Sequence, residues 1–373
     1  MRFIHTSDWQ LGKPFGRAPE EARAALQEAR LGAIDTLARA AQANDAPLVL
    51  VAGDVFDSAE PGDRVYRQAL SRMRQAANVT WVLLPGNHDP LRADGLWTRL
   101  KAETPPNVIA AIAAEPIAIG ETAVLLPAPL THKRSLSDPT AWFDTAETAP
   151  GALRIGLAHG SVQAFGSDPD TNLIAPDRAR RAGLAYLALG DWHGRLRIDE
   201  RTHYSGTPEP DDFGREATGL ALLVELTSAG APPQVTDLAI GRHHWIEADW
   251  SLAAASDLDA LLAGLAPERA LQDVVARLHV SGLVSLGDKV AVRRWLEDAL
   301  AHELRWLDLD LGGLVTRPTD TDLAEIDAFG DLRAAAERLN AMAAEGGAEG
   351  RLASAALERL YVEHHRAQRP GEA

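Results

Sequence analysis

Pro47-Leu48-Val49-Leu50-Val51-Ala52-Gly53-Asp54-Val55-Phe56-Asp57 is the stretch that decides how this chain folds. Its first six residues form an apolar run of strand length that stops at a Gly-Asp loop, the pattern of a buried strand delivering a carboxylate at its end. Outward from it the same form recurs. Residues 2–6 run into Ser7-Asp8-Trp9-Gln10, 79–84 into Pro85-Gly86-Asn87-His88-Asp89, 153–158 into His159-Gly160, and 184–189 into Gly190-Asp191-Trp192-His193. Segments of helical composition, 20–44 and 64–76, separate the first three strands. The alternation predicts an α/β fold, a layered sheet core with helices on the outside. Its polar loops should gather at the carboxyl edge of the strands, where α/β sheets bind ligands.

A chain of 373 residues has room for two or three domains, and 46% hydrophobic with 24% charged residues is a globular composition rather than a disordered or fibrous one. The formal net charge of −16 removes any global pull toward nucleic acid or an anionic membrane, so a polyanion has to be met locally. There is no cysteine, which excludes disulfides, thiolate zinc sites and a cysteine nucleophile. The opening residues turn polar too soon for a signal peptide and no apolar run approaches a membrane span, so the expectation is a cytoplasmic protein without membrane contact.

Residues 1–240 read as the main domain. Thr227-Ser228-Ala229-Gly230-Ala231-Pro232-Pro233 has linker or hairpin-turn composition and precedes a strand at 234–240, with a boundary near Gly241. Residues 241–320 read as a small β-α-β capping domain: strand 274–280, helix 286–304, strand 306–311. The tail, 321–373, reads as two helices joined at Glu345-Gly346-Gly347-Ala348-Glu349-Gly350.

Singly, the loop residues carry little. Asp8 can cap a turn, Asn87 can sit in a left-handed turn, and His159 can be a satisfied core histidine. Together, five strand ends offering carboxylates, a carboxamide and imidazoles, with no thiolate, suit hard or borderline divalent cations. Two such ions about 3.5–4 Å apart, sharing one Asp, can activate water and clamp a phosphate's oxygens. The chemistry this points to is phosphoester hydrolysis.

The ordered set Asp8, Gly53-Asp54-Val55-Phe56-Asp57, Gly86-Asn87-His88-Asp89, His159-Gly160 and Gly190-Asp191-Trp192-His193 resembles the calcineurin-like metallophosphoesterases. His5-Thr6-Ser7-Asp8-Trp9-Gln10-Leu11-Gly12 and Tyr204-Ser205-Gly206-Thr207-Pro208 are similar to segments of the SbcD-family DNA repair exonucleases, and the likeness extends over residues 1–226. The resemblance implies a first ion on Asp8, Gln10, Asp54 and His193, and a second on Asp54, Asn87, His159 and Asp191. It gives His88 the contact to the scissile phosphate and the Asp57 carboxylate the task of orienting it. This chain departs at two positions, with Gln10 where that family has His, and Asp191 where it has the first His of Gly-His-x-His. Three carboxylates in the ligand set favour Mn²⁺ over Zn²⁺, with Fe²⁺ and Mg²⁺ as alternatives. The departures leave two outcomes open: an active enzyme with substituted ligands, or altered metal choice with a single-metal, weak or lost activity.

Backbone contacts dominate affinity for DNA, so an acidic nuclease needs local cations. Lys13, Arg17 and Arg195 neighbour the metal-bearing loops and are the candidate DNA-binding residues. Trp9 and Trp192 flank metal motifs and read as walls of the site. The resemblance implies DNA as substrate and an SbcC-type coiled-coil ATPase as partner, docked by tail helices that can equally pack back on the capping domain. A homodimer is left open. The competing functions are a phosphodiesterase or phosphatase for a small nucleotide-like phosphoester, and a catalytically weakened scaffold for DNA ends or a partner.

Overall fold

Strands β1 (Arg2–Thr6), β2 (Leu48–Val51), β3 (Thr80–Leu83) and β4 (Val108–Ala110) lie side by side and parallel. In β2, Leu48 and Leu50 enter one apolar cluster while Val49 and Val51 enter another. Both faces are covered, which is why the sequence here is an unbroken apolar run rather than an alternation. In the computed structural model, residues 1–162, 171–255, 258–265, 270–327 and 330–368 are described. They fall in two units, Met1–His244 and Trp245–Ala373.

The first unit holds a second sheet, built from β5 (Ile117–Ile119), β6 (Ala123–Ala128), β7 (Leu153–His159), β10 (Tyr186–Gly190), β11 (Leu196–Arg197) and β12 (Thr202–Tyr204). Between β7 and β10, β8 (Ser161–Val162) and β9 (Leu173–Ile174) form a short pair of their own. In the second sheet β6, β7, β10 and β12 run parallel, with β5 and β11 antiparallel at its edges. The segment 227–233 is a hairpin connection, joining β13 (Leu220–Glu225) to β14 (Gln234–Ala239), which extend the first sheet antiparallel from β1.

The two sheets share one apolar layer, in which Phe3, Leu50 and Val82 meet Leu125, Ile155 and Tyr186. Helices α1 (Glu20–Ala43), α2 (Asp63–Gln75) and α3 (Leu96–Glu103) bury Leu37, Met73 and Trp97 on the outer face of the first sheet. On the outer face of the second, Ala179 of α4 (Arg178–Arg181) packs with Phe143. The α/β layered core is therefore helix, sheet, sheet, helix. The five motif-bearing strands divide three to two between the sheets, and within each sheet they are parallel neighbours, which brings their loops to one edge of the unit.

In the second unit a three-stranded sheet of β15 (His244–Leu252), β16 (Val274–Val284) and β17 (Trp306–Thr316) packs against α5 (Leu258–Leu265) and α6 (Leu286–Arg294). A π-helical stretch, Trp295–Leu300, and α7 (Ala301–Glu303) continue α6. The strands are longer than the apolar runs that announce them, since β16 and β17 pair in parallel as far as Val284 and Thr316. Helices α8 (Asp320–Ile326), α9 (Asp331–Glu345) and α10 (Gly347–Gln368) belong to the same unit. Leu286 of α6 shares an apolar cluster with Leu323, Leu357 and Tyr361, and Lys289 bonds Glu358 at 2.7 Å. Among the described residues no helix is long and apolar enough to cross a membrane.

Candidate metal centre

The loops after β1, β2 and β10 turn on residues that carry side chains where glycine would be easier. Asp8, Gln10, Asp54 and Asp191 have φ of 53°, 39°, 52° and 103°. Such left-handed conformations cost about 1–3 kcal/mol each and persist only where the surroundings impose them. Here the first two loops are zipped together: Asp8 N donates to Gly53 O at 3.1 Å, Gln10 N to Asp54 O at 2.9 Å, and Asp57 N to Leu11 O at 3.1 Å. Asp89 ties in the third loop, its carboxylate accepting from Phe56 N at 3.0 Å and Gly86 N at 2.8 Å. From α1, the buried Arg30 donates to the main-chain oxygens of Trp9 (2.7 Å), Asp8 (2.9 Å) and Glu209 (2.9 Å). Two glycines are required by close approach: a Cβ on Gly53 would overlap the His159 ring, and one on Gly86 would overlap Asp54 Oδ1 and its main-chain nitrogen.

This scaffold brings Asp8, Asp54 and His159 together with donor atoms within 4.8 Å of one another, all three buried, the one such carboxylate and imidazole cluster among the described residues. His159 donates from Nδ1 to Ala52 O at 2.8 Å, which orients the ring and turns Nε2 inward. Nε2 lies 3.5 Å from Asp54 Oδ1 and 3.7 Å from Asp191 Oδ1, and has no hydrogen-bond partner. Asn87 donates from Nδ2 to Asp191 Oδ1 at 2.9 Å, leaving its own buried Oδ1 unpartnered. Ser161 Oγ steadies the other oxygen of Asp191 at 2.9 Å. Burial lowers His159, but Asp54, Asp8 and Asp191 outweigh it and raise the ring to about 9. Burial and the Asp54 charge push Asp8 up, against the pull of His193 and His159. Buried polar atoms are nearly always paired. The buried cluster of Asp8, Asp54 and His159, with His159 Nε2 unpartnered beside the carboxylates, fits a divalent cation.

The set that the resemblance gave to another ion is arranged differently. Gln10 Nε2 is 3.2 Å from His193 Nε2, and Lys13 Nζ is 3.4 Å from Gln10 Oε1. His193 Nδ1 meets Asp211 at 3.1 Å, and Lys13 meets the same carboxylate at 2.5 Å. Asp211 is buried, which raises its carboxyl, yet His193, Arg30 and Lys13 hold it well below the usual range. His193 Nε2 is 4.0 Å from Asp8 Oδ1. Gln10 and His193 are thus engaged with each other, and these residues as placed do not fit a second ion.

Most of the other candidate residues have partners of their own. His88 Nδ1 bonds the main-chain oxygen of Asp57 at 3.0 Å, a contact from residue 57 to the ring made by its carbonyl. His88 N donates to Asp54 Oδ1 at 2.9 Å. Trp9 is a core residue, edge-on to Trp81 with Nε1 on Thr6, while Trp192 is exposed. Lys13 is drawn in to Asp211, Arg195 is paired with Asp237 at 2.9 Å, and Arg17 is exposed. Asp89, Arg30, Asp211 and Ser161 escape sequence reasoning, since their roles depend on partners distant in sequence. The position of Asp89, directly after Gly86-Asn87-His88, is the one local signal that could have found any of them.

Residues 1–195 match the family described as Calcineurin-like phosphoesterase. The chain is 27% identical over 208 residues to the uncharacterized metallophosphoesterase YhaO of Bacillus subtilis, covering 52% of this chain and 49% of that protein. It is 29% identical to the SbcD component of nuclease SbcCD from Bacillus subtilis, covering 63% of this chain and 68% of the relative. For the SbcD component of nuclease SbcCD from Rhodobacter capsulatus the identity is 36%, covering 63% and 69%. The matched region thus spans about half the length of YhaO and about two thirds of the two nuclease components. With its strand-end donors converging on one buried cluster and more than half of its length matching the family, the chain belongs to the calcineurin-like phosphoesterases.

Proposed function

We propose that this chain is a divalent-metal-dependent phosphodiesterase acting on DNA, a nuclease subunit of double-strand-break processing that works with an SbcC-type coiled-coil ATPase. The observation that carries the hydrolytic part is His159 Nε2, buried without a hydrogen-bond partner 3.5 Å from Asp54 Oδ1 and 3.7 Å from Asp191 Oδ1. The nuclease relatives and the segments 5–12 and 204–208 support DNA as the substrate. The carboxylate-rich donor set favours Mn²⁺.

When bound, the ion supplies Lewis acidity, lowering the pKa of water and drawing charge from the phosphoester oxygens. The chain's own residues do the rest. Asp54 and Asp191 would hold the ion with Asn87 and His159, and Ala52 and Ser161 keep His159 and Asp191 in register. His88, its Nδ1–H held by the Asp57 carbonyl, offers Nε2 to the phosphate and in its charged form gives a proton to the departing oxygen. Of the three candidate cations, Arg17 is the exposed one assigned to the DNA backbone, since Lys13 and Arg195 are already paired.

The test is hydrolysis of linear DNA and of bis(p-nitrophenyl) phosphate, with Mn²⁺, by the same preparation. Release of nucleotides from DNA, inhibited by unlabelled duplex, supports the nuclease reading. Hydrolysis of the small diester with DNA untouched, and no competition by duplex, would replace it with a small-phosphoester enzyme.

A further inference from the structure

Among the described residues, Gln10, His193, Asp211 and Lys13 close a ring of four polar side chains at the loop edge of the first unit. Its hydrogen-bond directions are determined by one member. An ammonium only donates, so Lys13 must face the oxygen of Gln10 and the carboxylate of Asp211. The amide of Gln10 therefore presents its N–H to His193 at 3.2 Å, which must receive it on the Nε2 lone pair. His193 then carries its proton on Nδ1 and donates it to Asp211 at 3.1 Å. Each link of the ring pairs a donor with an acceptor, and the His193 lone pair is already used.

The contrast with the neighbouring donors is direct. His159 Nε2 and Asn87 Oδ1 are buried and unpartnered, while neither Gln10 nor His193 has a buried side-chain atom left over. For a cation to take His193 Nε2, the Gln10 amide would have to leave. For Gln10 to offer its oxygen instead, its N–H groups would turn toward the Lys13 ammonium, donor against donor. Lys13 also sets a fixed positive charge 3.4 Å from that oxygen, where it repels an incoming dication.

Resting on the reading of this edge as a phosphoesterase metal centre, we propose that the chain holds a single divalent cation, on Asp54, Asn87, His159 and Asp191, and that the ring of Gln10, His193, Asp211 and Lys13 replaces a second ion. The ring fixes His193 beside Asp8 and supplies a permanent cation, the Lys13 ammonium.

The test is metal stoichiometry on the full chain. Metal-stripped protein is loaded with Mn²⁺ alone, freed of excess by gel filtration, and read by elemental analysis and electron paramagnetic resonance. One Mn²⁺ per chain with a mononuclear spectrum is expected, lost in His159→Ala and kept in His193→Ala. Two ions with an exchange-coupled spectrum in the wild type would overturn the proposal and leave the metal-centre reading standing, whereas no bound Mn²⁺ would overturn both. In the double variant Gln10→His with Lys13→Ala a second ion is expected, and a double variant that stays at one would contradict the ring as the cause.

Discussion

His159 gives its Nδ1 proton to the main-chain oxygen of Ala52 at 2.8 Å, and that bond aims its Nε2 into the carboxylate cluster. Ala52 ends the apolar run 47–52, whose strand β2 lies in the first sheet, while His159 ends β7 in the second. One hydrogen bond thus joins the two sheets at their loop edge and orients the ring of a ligand.

Proton release on metal binding follows from this. With Asp54, Asp8 and Asp191 around it, and despite burial, His159 is raised to about 9 from an ordinary value of 6.5. A cation taking Nε2 below that pH has to expel a proton, so Mn²⁺ affinity rises with pH until about 9 and then levels. The stability of the metal-stripped chain has the opposite dependence: the contribution of the charged ring is fully present below pH 6.5 and is lost as pH climbs through about 9. Calorimetry at pH 7 in buffers of different ionisation enthalpy measures the released proton, and a binding heat independent of buffer would refute this placement of Nε2.

The Asp57 carbonyl holds His88. Asp57→Asn keeps that carbonyl and is expected to leave the rate near wild type. His88→Ala is expected to lower kcat by about 10²–10⁴-fold with Mn²⁺ binding intact. A large loss in Asp57→Asn would show that the carboxylate takes part after all.

Gly86→Ala places a methyl group against Asp54 Oδ1 and its nitrogen. Overpacking of this kind costs about 1–3 kcal/mol of stability, and displacing a group that positions the reaction by about 1 Å can cost 10²-fold in rate. Parallel denaturation and activity measurements should show both effects, and a variant with full activity would mean that the loop relaxes without moving Asp54.

Arg30 is expected to be structural. Its three bonds to the main-chain oxygens of Trp9, Asp8 and Glu209 involve a charged donor, worth about 1.5–3 kcal/mol each. Arg30→Met should lower the urea midpoint sharply, and Arg30→Lys should recover little, because an ammonium lacks the planar fork that reaches three carbonyls. Full recovery by Lys would show that charge alone matters there.

What the sequence made legible was the strand-and-loop repeat, because a strand covered on both faces has no choice but an apolar run, and a loop at a parallel strand end has to be polar. That reading reached Asp8, Asp54, Asn87, His159 and Asp191, and the structure gathers all five at one edge. It did not reach the division of the strands between two sheets, since apolar runs look alike whichever sheet they join. Nor did it reach Asp211 or Lys13 as partners of His193 and Gln10, because local pattern says which residues end a strand and not which lone pairs stay unmatched after packing. Trp9 shows the same limit: adjacency to Asp8 in sequence suggested the site, while the left-handed backbone at Asp8 accompanies a Trp9 ring buried in the core.

The most direct measurement is nucleotide release from end-labelled linear DNA, with Mn²⁺ or excess chelator, by the wild type and by Asp54→Asn. Asp54 touches the backbone of His88 and lies 3.5 Å from His159 Nε2, so both proposed functions of the site pass through it. Release by the wild type with Mn²⁺, abolished by chelator and by Asp54→Asn, is the expected result. Digestion that persists in Asp54→Asn or in chelator would contradict a metal-dependent nuclease centred on this residue.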